Sequence, residues 1–196
     1  MRFLSIFLFI FSPLISLNFP TFSEHYISED EKFHVDRFNF SGKFLDMETM
    51  EIHAQRKKRV HFDASGVFPK LESIVYNGSF GFLRAKLTGW YPELTSLVIA
   101  CSSCKMDLDF RGKWEKNTSI SVSNESAPLT LTFPKDVGVI VHTKVSTKGK
   151  VIVEGNFEKQ GRGIWKKTYH NSLVGIAPIT LVFDVHSGSG GTITLQ

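Results

Sequence analysis

Hydrophobic and polar residues alternate through much of the chain after residue 73. Residues 97–101 and 106–110 each carry an apolar side chain at every second position. Successive side chains of an extended strand point to opposite faces, so a period of two predicts strands with one buried and one solvated face. Between residues 60 and 196 no segment sustains the spacing that an amphipathic helix requires.

The alternation recurs with an offset of 23 residues and without gaps. Residues 74–90 align with residues 97–113, and residues 120–134 follow at the same offset. Each unit predicts two short strands separated by residues that favour chain reversal. Three sets of equivalent positions are apolar in all three units: Leu83, Met106 and Leu129; Ala85, Leu108 and Leu131; Leu87, Phe110 and Phe133.

Such a repeat predicts a stack, because one two-stranded unit cannot bury its apolar face alone. We therefore expect an all-β domain over residues 60–196, β-solenoid-like or sandwich-like, built from stacked two-strand repeats. Equivalent strands could pair in parallel, or antiparallel hairpins could pile up. The gap-free offset favours parallel pairing, which would set Arg84 beside Asp107 and Lys86 beside Asp109.

Residues 1–16 have the order of a secretory signal peptide. Arg2 supplies a positive charge, residues 3–11 are apolar, and Pro13 interrupts the run before the small Ser16. The run is short for a membrane span, although an uncleaved anchor is the alternative. We expect the rest of the chain to be exported, to the periplasm, the cell envelope or the medium.

Residues 17–59 are expected to form a partly ordered N-terminal segment. Within it, residues 46–56 contain good helix formers, which favours a short helix.

The charge distribution points away from nucleic acid. A net charge of +4 is mild, and no stacked-aromatic RNA motif accompanies it. The one basic run is Arg56, Lys57, Lys58 and Arg59. Such a run is typical of a solvated strand edge, or of a segment that associates with an anionic membrane surface or envelope polymer.

Cys101 and Cys104 are the two cysteines of the chain. In an exported protein we expect them to form a disulfide with each other. A redox catalyst places this motif at the start of a helix, where the thiol pKa falls, but here a strand-like alternation follows. A zinc site would require two further ligands.

We predict no catalytic, metal or cofactor site. The seven histidines lack the spacing that aims two imidazoles at one ion. The alternative is a glycan hydrolase or lyase on a β-solenoid, with Asp107 and Asp109 as paired acids on one strand face. A charge ladder explains these acids equally, because basic residues occupy the equivalent positions one unit earlier and threonines one unit later.

The looser insert over residues 155–175 contains the best candidate for a partner surface. Aromatic side chains next to cations are typical of interfaces and sugar-binding patches. Alternatively, the aromatic rings fold back and cap the stack. The candidate residues are Arg162, Trp165, Lys166, Lys167 and Tyr169.

Three segments resemble the LiaF-like cell-wall-stress-response family, over about residues 72–196. They are Phe-Pro-Lys-Asp-Val-Gly-Val at residues 133–139, Gly-Asn-Phe-Glu-Lys-Gln-Gly at residues 155–161, and the closing strands at residues 179–195. The resemblance implies a stacked, toast-rack-like all-β domain outside the usual enzyme classes. In the family's namesake this domain follows membrane helices and restrains a sensor kinase, whereas this N-terminus predicts an export signal.

Taken together, the patterns predict a non-catalytic exported protein of the cell envelope. We expect a structural or adaptor domain that binds an unidentified protein or envelope polymer and needs no cofactor.

Overall fold

The computed structural model describes residues 35–54, 59–146, 148–161, 163 and 166–196, and all regular elements among them are β-strands. The predicted all-β class is therefore confirmed. The predicted signal peptide, residues 1–16, lies outside these residues. The strands are β1 (Val35–Asn39), β2 (Thr49–Ala54), β3 (Arg59–Asp63), β4 (Ser73–Lys86), β5 (Trp90–Tyr91), β6 (Ser96–Asp109), β7 (Lys113–Trp114), β8 (Thr118–Asn124), β9 (Leu129–Thr132), β10 (Gly138–Val145), β11 (Lys150–Val153), β12 (Phe157–Gln160), β13 (Lys166–Asn171), β14 (Thr180–Ser187) and β15 (Thr192–Leu195).

The repeat units form parallel coils of one sheet. Strand β4 pairs in parallel with β6 over nearly its whole length, and β6 continues the pattern with β8 and β9. The register joins Ile74 to Leu97 and Leu97 to Ile120, which is the offset found in the sequence. The parallel arrangement is confirmed for these units, and the pile of antiparallel hairpins is wrong.

The turns predicted within the first two units are corners inside continuous strands. Strands β4 and β6 each run for 14 residues. At the corner of β6, Cys101 and Cys104 are buried while Ser102 and Ser103 are exposed, so the alternation changes phase there. A disulfide joins the two cysteines, whose Cα atoms lie 5.8 Å apart.

The order of the coils departs from the order of the chain. Strand β14 pairs in parallel with β8 on one side and with β10 on the other. In the same way, β15 lies between β9 and β11. The last coil of the chain is thus inserted between two earlier ones. A hairpin of β12 and β13, part of the predicted insert, pairs antiparallel with β10.

The stack extends further toward the N-terminus than residue 60. Strand β1 pairs in parallel with β3, and β2 with β4, so both belong to the same sheet. The helix predicted over residues 46–56 is wrong, because Met50, Ile52 and Ala54 alternate into the core as part of β2. Burial of one strand face outweighs the helix propensity of these residues.

The interior consists of ladders of equivalent apolar side chains. Leu108 and Leu131 are partners in register and are fully buried. A separate aromatic ladder runs through the loops and the short strands β5 and β7. Its successive ring centroids are 5.1, 5.4 and 5.2 Å apart, and its members are Phe44, Phe68, Tyr91 and Trp114. No helix in the described part of the chain is long and apolar enough to cross a membrane.

Charged side chains continue the ladders on the outer face. Arg84 lies beside Asp107 in register, and its Nε donates a hydrogen bond to Asp107 Oδ2 at 3.1 Å. Lys86 likewise lies beside Asp109. Both neighbour relations predicted from the offset are confirmed.

Replacing Leu108 or Leu131 by Ala should reduce the free energy of unfolding by about 2–5 kcal/mol, because each substitution leaves a cavity in the interior. Changing Thr130 or Thr132, on the outer face, should cost less than about 1 kcal/mol. Denaturant titration of the four variants measures the difference. Equal losses would contradict the assignment of faces.

The Arg84–Asp107 pair should behave as a coupled pair in a charge-swap cycle. Asp107→Arg alone should destabilise the protein by about 0.2–1 kcal/mol, since it sets two cations side by side. Adding Arg84→Asp should restore part of the loss, and added salt should weaken the coupling. Strictly additive effects in thermal or denaturant unfolding would contradict the parallel register.

Candidate functional site

Each of the two candidate acids is paired with an arginine. The guanidinium of Arg111 donates two hydrogen bonds to the carboxylate of Asp109, from Nε to Oδ1 at 2.9 Å and from a terminal nitrogen to Oδ2 at 2.7 Å. These hydrogen bonds lower the pKa of Asp109 despite its partial burial. A general acid needs a raised pKa. Asp109 is therefore held as a carboxylate, and Asp107 is engaged by Arg84.

The ion pair of Asp109 with Arg111 was not predicted from the sequence. The offset placed Lys86 beside Asp109, and the strands do so. Arg111, however, follows Asp109 by two residues at the end of β6 and takes both carboxylate oxygens. A bidentate guanidinium is a stronger partner than an ammonium.

The residues predicted as a partner surface divide into three groups. Arg162 and Trp165 lie outside the described residues. Lys166 is exposed and Lys167 is half-buried, both at the start of β13. Tyr169 is only 5% exposed, and this burial raises its pKa. Its ring therefore belongs to the core, as the alternative interpretation of the insert proposed, and it offers no contact surface.

Lys166 instead lines an open cleft on the outer face of the sheet. Lys167 also borders this cleft, but the register sets Lys167 beside the buried Thr143, on the opposite face of β13 from Lys166. The cleft has a volume of about 430 Å³ and is formed by strands β8, β10, β13 and β14. Nine of its ten lining residues are of polar or charged types, and the tenth is Val185. The other lining residues are Ser121, His142, Thr143, Lys144, Thr168, Asp184, Val185 and His186, of which Thr143 and Val185 are buried.

Strand register places three basic side chains in one row of the cleft. His186 lies beside Lys144, and Lys144 lies beside Lys166. Neighbouring strands are about 4.8 Å apart, so the charges of such a row act on one another and on a common ligand. Within the described residues, neither lysine forms an ion pair with a carboxylate.

A second row of the cleft is mixed in charge. Asp184 lies beside His142, which lies beside Thr168. His142 Nδ1 and Thr168 Oγ1 are 3.0 Å apart and share a hydrogen bond. No group of three or more metal-binding side chains occurs among the residues that the structure describes. The arrangement suits the binding of an acidic group through lysine and imidazole nitrogen atoms.

Sequence analysis missed this set, although it singled out Lys166 and Lys167. His142 and Lys144 are about 40 residues from Asp184 and His186 along the chain, and no common spacing connects them. They meet only because the last coil is inserted beside β10. The alternation of exposed residues in β10 and β14 was the available signal, but it did not specify the neighbour.

Of the basic run, the structure describes Arg59. Arg59 is the first residue of β3, and Arg56, Lys57 and Lys58 are outside the described residues.

Comparison with known proteins places the chain only at the level of fold. No protein-family model matches it, and no curated protein matches it. The crystal structure of a candidate cell adhesion protein from Clostridium sporogenes is similar, with a TM-score of 0.54 and 21% sequence identity. The match covers 66% of this chain and 55% of that protein, so this chain corresponds to about half of its length. At this identity the likeness shows a shared fold.

Proposed function

We propose that this protein is an exported, non-catalytic component of the cell envelope. It acts as a structural or adaptor domain whose cleft holds an acidic group of a protein or envelope polymer. The observation that carries the proposal is the row of His186, Lys144 and Lys166 on adjacent strands. Like charges on neighbouring strands destabilise a sheet, and an anionic partner would relieve that repulsion.

Three further observations support this assignment. The carboxylates that a glycan-cleaving enzyme would use are both engaged by arginines. The N-terminal sequence has the order of an export signal. The candidate adhesion protein of similar fold is compatible with a role in surface attachment. We also propose a relationship to the LiaF-like family, with which the stacked all-β fold agrees.

Loss of the two cleft lysines should weaken capture of the partner. We expect the full-length protein to retain a component of its host's envelope fraction, and Lys144→Glu with Lys166→Glu to reduce that capture by about tenfold or more. The matched control is Lys135→Glu with Lys150→Glu, which changes the net charge equally at exposed positions outside the cleft. Quantitative pull-down measures the captured component.

Equal loss in the two double variants would show that capture depends on net charge, and would contradict the proposal. A second contradictory outcome is catalysis. If the wild-type protein released reducing ends from a panel of acidic and neutral glycans, and Asp107→Asn or Asp109→Asn abolished the release, the glycan-cleaving alternative would replace the adaptor role.

A further inference from the structure

A second basic surface lies on the outer face of the first coils, remote from the cleft in the order of strands. Strands β1, β3 and β4 lie side by side, and their register aligns Arg37 with His61 and His61 with Arg84. Strands in a sheet are about 4.8 Å apart, so the three side chains form a straight row about 10 Å long. All three point away from the core, because Val60 and Phe62 on either side of His61 are buried.

The row carries more positive charge than its neighbours compensate. Asp107, the next residue in register, accepts one hydrogen bond from Arg84. An arginine has five N–H donors, so most of the Arg84 guanidinium stays available. Arg37 forms no ion pair with any described residue.

Surrounding groups add to this positive potential. Arg59 and Lys86 flank the row on the same outer face. Asp63 lies beside Lys86 in register and is an acidic neighbour of the row. The pKa of His61 is lowered, chiefly by burial of the imidazole. The nearby positive charges of Arg37, Arg84, Arg59 and Lys86 lower it further.

An aromatic ring completes the surface. Phe82 is half-buried, and its ring meets the edge of the His61 imidazole at a centroid distance of 6.3 Å. The guanidinium carbon of Arg84 lies 5.6 Å from the centre of the same ring. Aromatic rings beside cations are well suited to the apolar face and the charged substituents of a sugar.

We propose that Arg37, His61, Arg84 and Phe82 form a binding site for an acidic glycan, a carboxylated or sulfated polysaccharide chain laid across the strands. The linear order of Arg37 and Arg84, with the His61 imidazole between them, favours a linear polyanion whose charges repeat along its length. An anionic membrane presents a diffuse charge that requires no such alignment. The site is separate from the cleft and does not depend on the function proposed for it.

The test compares binding of the full-length protein to immobilised heparin and polygalacturonate, with neutral dextran as a blank. Arg37→Gln with Arg84→Gln should weaken binding to the acidic glycans by about tenfold, because two charged contacts are lost. Lys135→Gln with Lys150→Gln removes the same charge elsewhere and should leave binding nearly unchanged. Circular dichroism establishes that each variant is folded.

His61 provides a second, local readout. A bound polyanion would offset the neighbouring arginines and favour the protonated imidazole, so the pKa of His61 should rise when glycan is added. A pH titration of its imidazole signals by NMR, with and without heparin, measures the shift.

Four outcomes would overturn the proposal. The first is equal weakening by the row and control variants, and the second is glycan binding that leaves His61 unchanged. The third is a loss of glycan binding in Lys144→Gln with Lys166→Gln but not in the row variant, which would move the site to the cleft. The fourth is binding to vesicles of phosphatidylglycerol and phosphatidylcholine in equal parts, without binding to either glycan.

Discussion

In-register parallel pairing of equivalent strands is the constraint on which the rest of this structure depends. Because the coils from β2 to β8 repeat at a shift of 23 or 24 residues, a side chain there meets its own equivalent on the neighbouring strand. Apolar positions therefore build continuous interior ladders, such as that through Leu108 and Leu131. A one-residue slip would turn every buried side chain of a strand toward solvent, so the hydrophobic pattern itself fixes the register.

The same constraint organises positions outside the strands. Phe44, Phe68, Tyr91 and Trp114 stack because the loops that carry them are also repeated. At the corner, Asn124 takes the position of Cys101 in the next coil, and its Nδ2 donates hydrogen bonds to the carbonyl oxygens of Cys104 and Ala127. The same corner is therefore held by different groups in successive coils. A disulfide joins it in one coil, and a side-chain amide bonds to it in the next.

On the outer face the side chains are not constrained by packing, and their charges vary from row to row. Between Arg84 and Asp107 the charges are complementary and stabilise the stack. The rows of Arg37, His61 and Arg84, and of His186, Lys144 and Lys166, instead bring cations and an imidazole together. Neighbouring cations oppose stability, so we interpret these rows as binding surfaces, and each surface is a direct product of strand register.

The sequence by itself determined the strand class, the offset and the facing of side chains, because these follow from a local period of two and a repeat without gaps. From them the neighbours of Leu108 and Asp107 could be predicted. The helix prediction for residues 46–56 was wrong, because helix propensity is a local property. The burial of Met50 and Ile52 in β2 depends instead on pairing with β4. Only the tertiary structure decided that the last coil fills the space between β8 and β10. A strand's edge offers backbone hydrogen bonds to any segment that reaches it, so the pairing of Asp184 with His142 is a non-local choice that no spacing records.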